Sequence, residues 1–296
     1  MKAVLDIGVL GVIVLMMAAV GMELEARHFR AVARRKGALL LALAAQAAIL
    51  PVLGFVLSRL LALPPHISAG ILLVAACPVG DIANLYVVLA RTNLPLSVSM
   101  NALSILCSAA TMAVVFEAYG HLLQTPFAFA VPTPTLLLRM ILVLAVPLFA
   151  GMAVRRIRPG FVARHGRTAH RIVLAGVALL VVYVLVSQRE RLAVEWRQTA
   201  VAATAFVALS LLVGLAFGGL LRLPREDGVT VGIAFAVRHV ALASAIAVTL
   251  LNRIEYAVFA VVYFLVEVPL LLGVVALYRI CWAPAVLRTE LPETPR

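Results

Sequence analysis

Apolar residues run along this chain in long blocks, each closed by a short polar or basic stretch. Nine blocks can be delimited, at residues 3–24, 37–61, 67–90, 95–116, 135–154, 169–187, 198–221, 229–251 and 254–280. A helix rises about 1.5 Å per residue and needs roughly 20 residues to cross the hydrocarbon of a bilayer. The pattern therefore predicts an all-α integral membrane protein with nine transmembrane helices. The loops are short and leave no room for a separate soluble domain. The first block, behind Lys2, has the outline of a signal peptide. Its span length and the Glu23, Glu25 and basic cluster directly after it favour a retained helix.

Two blocks break the pattern at their middles. In 67–90 the run is interrupted by Pro78 and Gly80, with Asp81 and Asn84 just after. In 229–251, Arg238 and His239 stand near the centre. Irregular backbone at membrane depth is tolerated only where it is packed in protein or lines a cavity, and ionisable groups there mark pathways. By the nine-span count the two blocks cross in opposite senses, as an inverted repeat requires. The expected organisation is a single transmembrane transporter domain over 1–296. Its first repeat, about 3–119, holds four helices; its second, about 135–280, holds five; residues 281–296 form a cytoplasmic tail.

Composition agrees. The chain is 64% apolar and 13% charged, against roughly 45–50% and about 25% in soluble domains. The net charge of +12 could speak for nucleic acid, but its distribution speaks for topology. Seventeen of the 25 Lys and Arg fall in one set of alternating loops and the tail, and six fall in the other set. Basic loops stay in the cytoplasm. This predicts an N-terminus outside, a C-terminus inside, a location in the cell (inner, cytoplasmic) membrane, and no nucleic-acid partner. Cys77, Cys107 and Cys281 show no metal spacing and are expected as free thiols.

Among the deep polar residues, Asp81, Asn84, Ser97, Asn101, Gln46, Arg238 and His239, with Pro78 and Gly80, are the pathway candidates. Asp81 can also serve as the N-cap of the half-helix after the break. Arg139 and Glu267 are read mainly as structural. The six histidines are scattered and only His239 is deep. No cluster of nucleophile, base or metal ligands exists in the pattern, so no catalytic residue is assigned and a membrane enzyme or receptor is the weakest reading.

The stretch ACPVGDIANLYVVLARTNLPLSVSMNALSIL resembles the signature of the bile acid:sodium symporter family, through Pro78, Gly80, Asn84, Leu89, Ala90, Arg91, Asn93, Leu96, Ser97 and Val98. Gly21, Met22, Leu24, Gln46 and Pro51 match an earlier part of that pattern, and Leu242 and Ala243 a later one. The resemblance implies core and panel domains, two crossing unwound helices, and organic-anion transport coupled to sodium. It also implies sodium ligands at Asn84, Ser97 and Gln46. Four other ligand positions of the pattern depart: Ala83 stands for its Ser, Asn101 for its Thr, Ala234 for its Glu and Arg238 for its Gln. His239 stands for its Asn, and Asp81 for a small residue.

A guanidinium near the sodium position repels the ion in a low-dielectric setting, so the sodium sites are expected to be degenerate, with no confident metal ligand. Arg238 becomes the fixed cation for a small organic anion, Asp81 its counter-charge, and His239 a group that titrates near neutral pH. Coupling to protons, or none, is expected in a monomeric carrier without a resident cofactor. An arsenite-permease-like efflux carrier, with Cys77 near the first crossover, is the alternative.

Overall fold

The computed structural model describes residues 2–23, 36–123 and 141–286, with the single positions Thr135 and Leu138. The basic stretch 24–35, Arg139, the Pro132 and Pro134 segment and the tail from 287 lie outside the described residues. The helices in chain order are α1 (Lys2–Glu23), α2 (Lys36–Leu60), α3 (Pro65–Ala76), α4 (Ile82–Ala90) and α5 (Leu94–Leu123). A π turn (Ile141–Ala145) leads into α6 (Val146–Ile157), followed by α7 (Pro159–Ser187) and α8 (Arg189–Leu220). Then come α9 (Arg225–Ala236), α10 (Val240–Thr249), a 3-10 turn (Ile254–Tyr256) and α11 (Ala257–Val286). The described residues are helical with no strand, and the only pairing of β type among them is an isolated bridge described below.

Segments Gly37–Leu60, Arg189–Leu220 and Ile254–Cys281 are each long and apolar enough to cross a membrane. α5 and α7 join them if each is one bent span, with bends of 59° and 50°. Their outer faces are apolar: Leu40, Leu41, Val52, Val56 and Leu60 on α2 are all exposed. Contiguous exposed apolar surface on this scale needs a hydrocarbon solvent. The protein is a multi-pass membrane protein.

The first broken segment follows from local chemistry. Proline lacks an N–H and disfavours helical backbone in the residue before it. Cys77, just before Pro78, is accordingly extended (φ −64°, ψ 154°), and α3 ends there. The second broken segment has no such residue. Val237 is extended (φ −98°, ψ 115°) between Ala236 and Arg238, where sequence alone would continue the helix.

The lead-in turns match. Residues 60–64 read LLALP and 220–224 read LLRLP. Ala62 and Arg222 both take left-handed backbone (φ 45° and 51°). Leu63 N–H bonds the Ser58 carbonyl and Leu223 N–H the Gly218 carbonyl, both at 3.0 Å. This is the Schellman closure of a helix C-terminus. A proline then opens the next helix in each case.

The helices sort into two packed groups. α1, α6 and α7 pack on one another, and the other helices pack around α3, α4, α9 and α10. α1 and α6 approach so closely that a Cβ on Gly21 would collide with the Leu148 carbonyl, and one on Gly151 with the Ala18 carbonyl. Small residues let membrane helices pack backbone to backbone in this way.

Candidate functional site

The two helix breaks meet. Val79 and Arg238 form an antiparallel bridge, closed by Gly80 N–H to the Val237 carbonyl (3.2 Å) and His239 N–H to the Pro78 carbonyl (3.0 Å). The free ends of four half-helices thus supply each other's missing hydrogen bonds, which the hydrocarbon cannot. A Cβ on Gly80 would lie 2.8 Å from the Arg238 carbonyl oxygen, so only glycine allows this approach. Val79 N–H is taken by Ser104 Oγ of α5 at 3.1 Å, and that hydroxyl donates to the Asn101 carbonyl.

Asp81 sits at the N-cap position of α4 but makes no side-chain cap bond. Its carboxylate accepts from Asn101 Nδ2 at 2.7 Å and lies 3.5 Å from His239 Nε2. Sequence reasoning expects Asp81 to be the counter-charge of Arg238; the structure brings Asn101 and His239 to Asp81, and the Ala75 carbonyl to the guanidinium. Arg238 turns the other way, and its Nη2 donates to the Ala75 carbonyl at 3.2 Å. The last carbonyls of α3 lack helical partners and carry the negative end of its dipole, which is what draws the guanidinium. Its Nε and Nη1 have no hydrogen-bond partner, and the residue is buried. The two lie on different edges of the guanidinium, and each is a donor for an acceptor oxygen.

Asn84 and Ser97 are also brought together: Ser97 Oγ donates to Asn84 Oδ1 at 2.7 Å. Gln46 stands apart from that pair. It is buried, its Oε1 is unpartnered, and it lines a pocket of about 30 Å³ with Cys77, Pro78 and Arg238. Ala83 and Ala234 are both fully buried and bring no side-chain oxygen. Cys77 is a buried free thiol, and Cys107 and Cys281 are exposed free thiols.

On the other side of the crossing lies a cavity of about 410 Å³. Gly80, Asp81, Arg238 and His239 form its polar wall. The facing wall is apolar, from Met16 and Val20 of α1 and Val173, Val177 and Val181 of α7, with Glu23 also on the lining. The cavity therefore sits between the two helix groups. Sequence reasoning passes over Phe264, which lines it, and Ser104. It also passes over the polar contact of Asn93 Nδ2 with Asp227 Oδ1 (2.7 Å), which ties the α4–α5 turn to α9. The paired LLALP and LLRLP turns were the available signal for the matching frames; nothing local marks Phe264.

The family model described as Sodium Bile acid symporter family matches residues 10–195. An Arabidopsis thaliana protein named probable sodium/metabolite cotransporter BASS1, chloroplastic, is 26% identical over 194 residues, 66% of this chain and 47% of that protein. A Bacillus subtilis (strain 168) protein named uncharacterized sodium-dependent transporter YocS is 27% identical over 178 residues, 60% of this chain and 54% of that protein. The chain spans about half the length of these relatives. Family and relatives are transporters, not enzymes.

Proposed function

Because the chain belongs to the Sodium Bile acid symporter family, we propose that it is a secondary transporter of small organic anions with Arg238 as the fixed cation. The observation that carries this is a buried guanidinium with two unpartnered donors at the crossing of two helix breaks, on a residue that lines both the small pocket with Gln46 and the larger cavity. An anion with an apolar body matches the polar and apolar walls of that cavity. A buried cation without a full set of partners is costly, and a substrate carboxylate or sulfonate completes it.

The nine-span, inverted-repeat reading goes with this function. Its support is the matched turns before α3 and α9 and the pairing of the two helix breaks that follow them. The two helix groups correspond to a panel (α1, α6, α7) and a core. We infer the cell membrane as the location, with the N-terminus outside.

The relatives' names speak of sodium. In this chain we read the sodium sites as degenerate, because Ala83 and Ala234 bring no ligand oxygen and Arg238 places a cation there. Coupling is then to protons or absent. The retained Ser97–Asn84 pair and Gln46 favour a second reading, in which one weakened sodium site persists. The test is uptake of labelled organic anions, taurocholate among them, into proteoliposomes under imposed sodium or proton gradients. Uptake driven by sodium and indifferent to pH refutes the degenerate-site reading. No uptake of any anion, with no thermal stabilisation by any, refutes the carrier itself.

A further inference from the structure

A carboxyl group at the centre of α11 has no part in the site above. Glu267 is fully buried, and among the described residues its one hydrogen-bonding neighbour is the Tyr86 hydroxyl, at a geometry short of a well-formed bond. Two buried tyrosines face it. Tyr86, on α4 just beyond the first break, brings its hydroxyl within hydrogen-bonding reach of Glu267, without the alignment of a well-formed bond. Tyr263, one turn earlier on α11, is also within reach, and its hydroxyl donates to the Ala236 carbonyl at the end of α9. Arg238 acts on Tyr263 from the second break, but its own hydrogen bond goes to Ala75.

An ionised carboxylate removed from water without a partner costs several kcal/mol. A protonated one is an ordinary polar group with an O–H to donate. Sodium, like other hard cations, needs several oxygen ligands, and Glu267, Tyr86 and Tyr263 bring four side-chain oxygens, of which the Tyr263 hydroxyl is engaged with Ala236. The proton is therefore the cation this pocket fits. The pocket is also placed to feel motion: α4 carries Tyr86, and Tyr263 is tied to the end of α9. Pro269, two residues on, removes the amide that would bond the Leu265 carbonyl, which weakens the α11 ladder at this point.

We propose that Glu267 is the proton-carrying group of this transporter. It holds its proton while α4 and α11 are packed as described, and releases it to water when their separation admits solvent. The carboxyl O–H bond breaks, the proton passes to water, and an incoming proton restores the bond; no electrons are transferred. The proposal rests on the carrier reading and gives that reading its coupling group.

The first test needs no transport. Infrared difference spectra of the purified protein in lipid, between alkaline and acidic buffer, should show a protonated-carboxyl band that Glu267→Gln removes. Tyr86→Phe, which keeps the fold and the acid, should shift that band without abolishing it. An unchanged band in Glu267→Gln overturns the proposal, as does a band that sodium chloride abolishes and choline chloride does not. The second test uses labelled taurocholate in proteoliposomes. Glu267→Gln should lose accumulation driven by a pH gradient and keep the exchange of internal for external taurocholate. Gradient-driven accumulation that survives in Glu267→Gln overturns the proposal. Failure of the wild-type protein to move taurocholate counts against the carrier reading alone, and the infrared result still decides the role of Glu267.

Discussion

The two helix breaks share one backbone frame and have opposite origins. At the first, Pro78 and Gly80 impose the interruption locally, because a proline cannot continue the helix and a glycine permits the close approach. At the second, Ala236, Val237, Arg238 and His239 are all compatible with a helix. The non-helical backbone of Val237, Arg238 and His239 is held by the bridge to the first break. The side chains divide in the same way. The first break is served by neutral and acidic groups with partners, Asp81 with Asn101 and Val79 with Ser104. The second carries Arg238 and His239, and Arg238 keeps two donors without partners among the described residues. One break is a rigid template; the other is shaped on it and carries the unsatisfied charge.

The comparison can be broken most severely at the template. Gly80→Val sets two extra methyls and a Cβ against the Arg238 backbone. It should destabilise the protein toward the upper end of the roughly 1–3 kcal/mol typical of overpacking, read as a fall in Tm in detergent together with loss of uptake. A stable, active Gly80→Val protein would show that the breaks do not depend on each other. Arg238→Gln comes next. It should weaken anion binding by about tenfold or more, as expected for a charged hydrogen bond of roughly 1.5–3 kcal/mol. Fold and expression should be kept. The measurement is ligand-induced thermal stabilisation, and an unchanged response would move the anion site elsewhere.

Smaller effects sharpen the asymmetry. Asp81→Asn keeps an acceptor for Asn101 and removes the charge facing His239. Because Asp81 is partly exposed to the cavity, the loss should stay below about 1 kcal/mol, read as a small fall in Tm in detergent. Ser97→Ala removes the hydrogen bond to Asn84 and should cost only about 0.6 kcal/mol. A loss of sodium response in that variant would instead favour the weakened sodium site.

Much of this was legible before any coordinates. The apolar blocks fall on the helices because in lipid every backbone group must be satisfied within its own segment, so hydropathy and secondary structure coincide. Pro78 announced the first break through its missing N–H. Asp81, Asn101, Arg238 and His239 stood out as polar groups in apolar runs, and the structure brings all four to one crossing. Their pairing was not legible. The Arg238 guanidinium goes to Ala75, a carbonyl that no side-chain pattern reveals, and Asp81 goes to Asn101 and His239. Glu267 was visible as a residue, with Tyr263 one turn earlier on its own helix, but its neighbour Tyr86 comes from α4, which sequence distance conceals.

The sequence by itself determined the medium, the helical segments and the place of the first break, since each follows from local hydropathy or from a single residue's backbone chemistry. The tertiary structure alone decided the second break, the partners of each buried charge and the cavity between the two helix groups. These depend on hydrogen bonds and packing between segments about 160 residues apart, such as Val79 with Arg238. No local rule can choose among the carbonyls and carboxylates that such distant segments bring within reach.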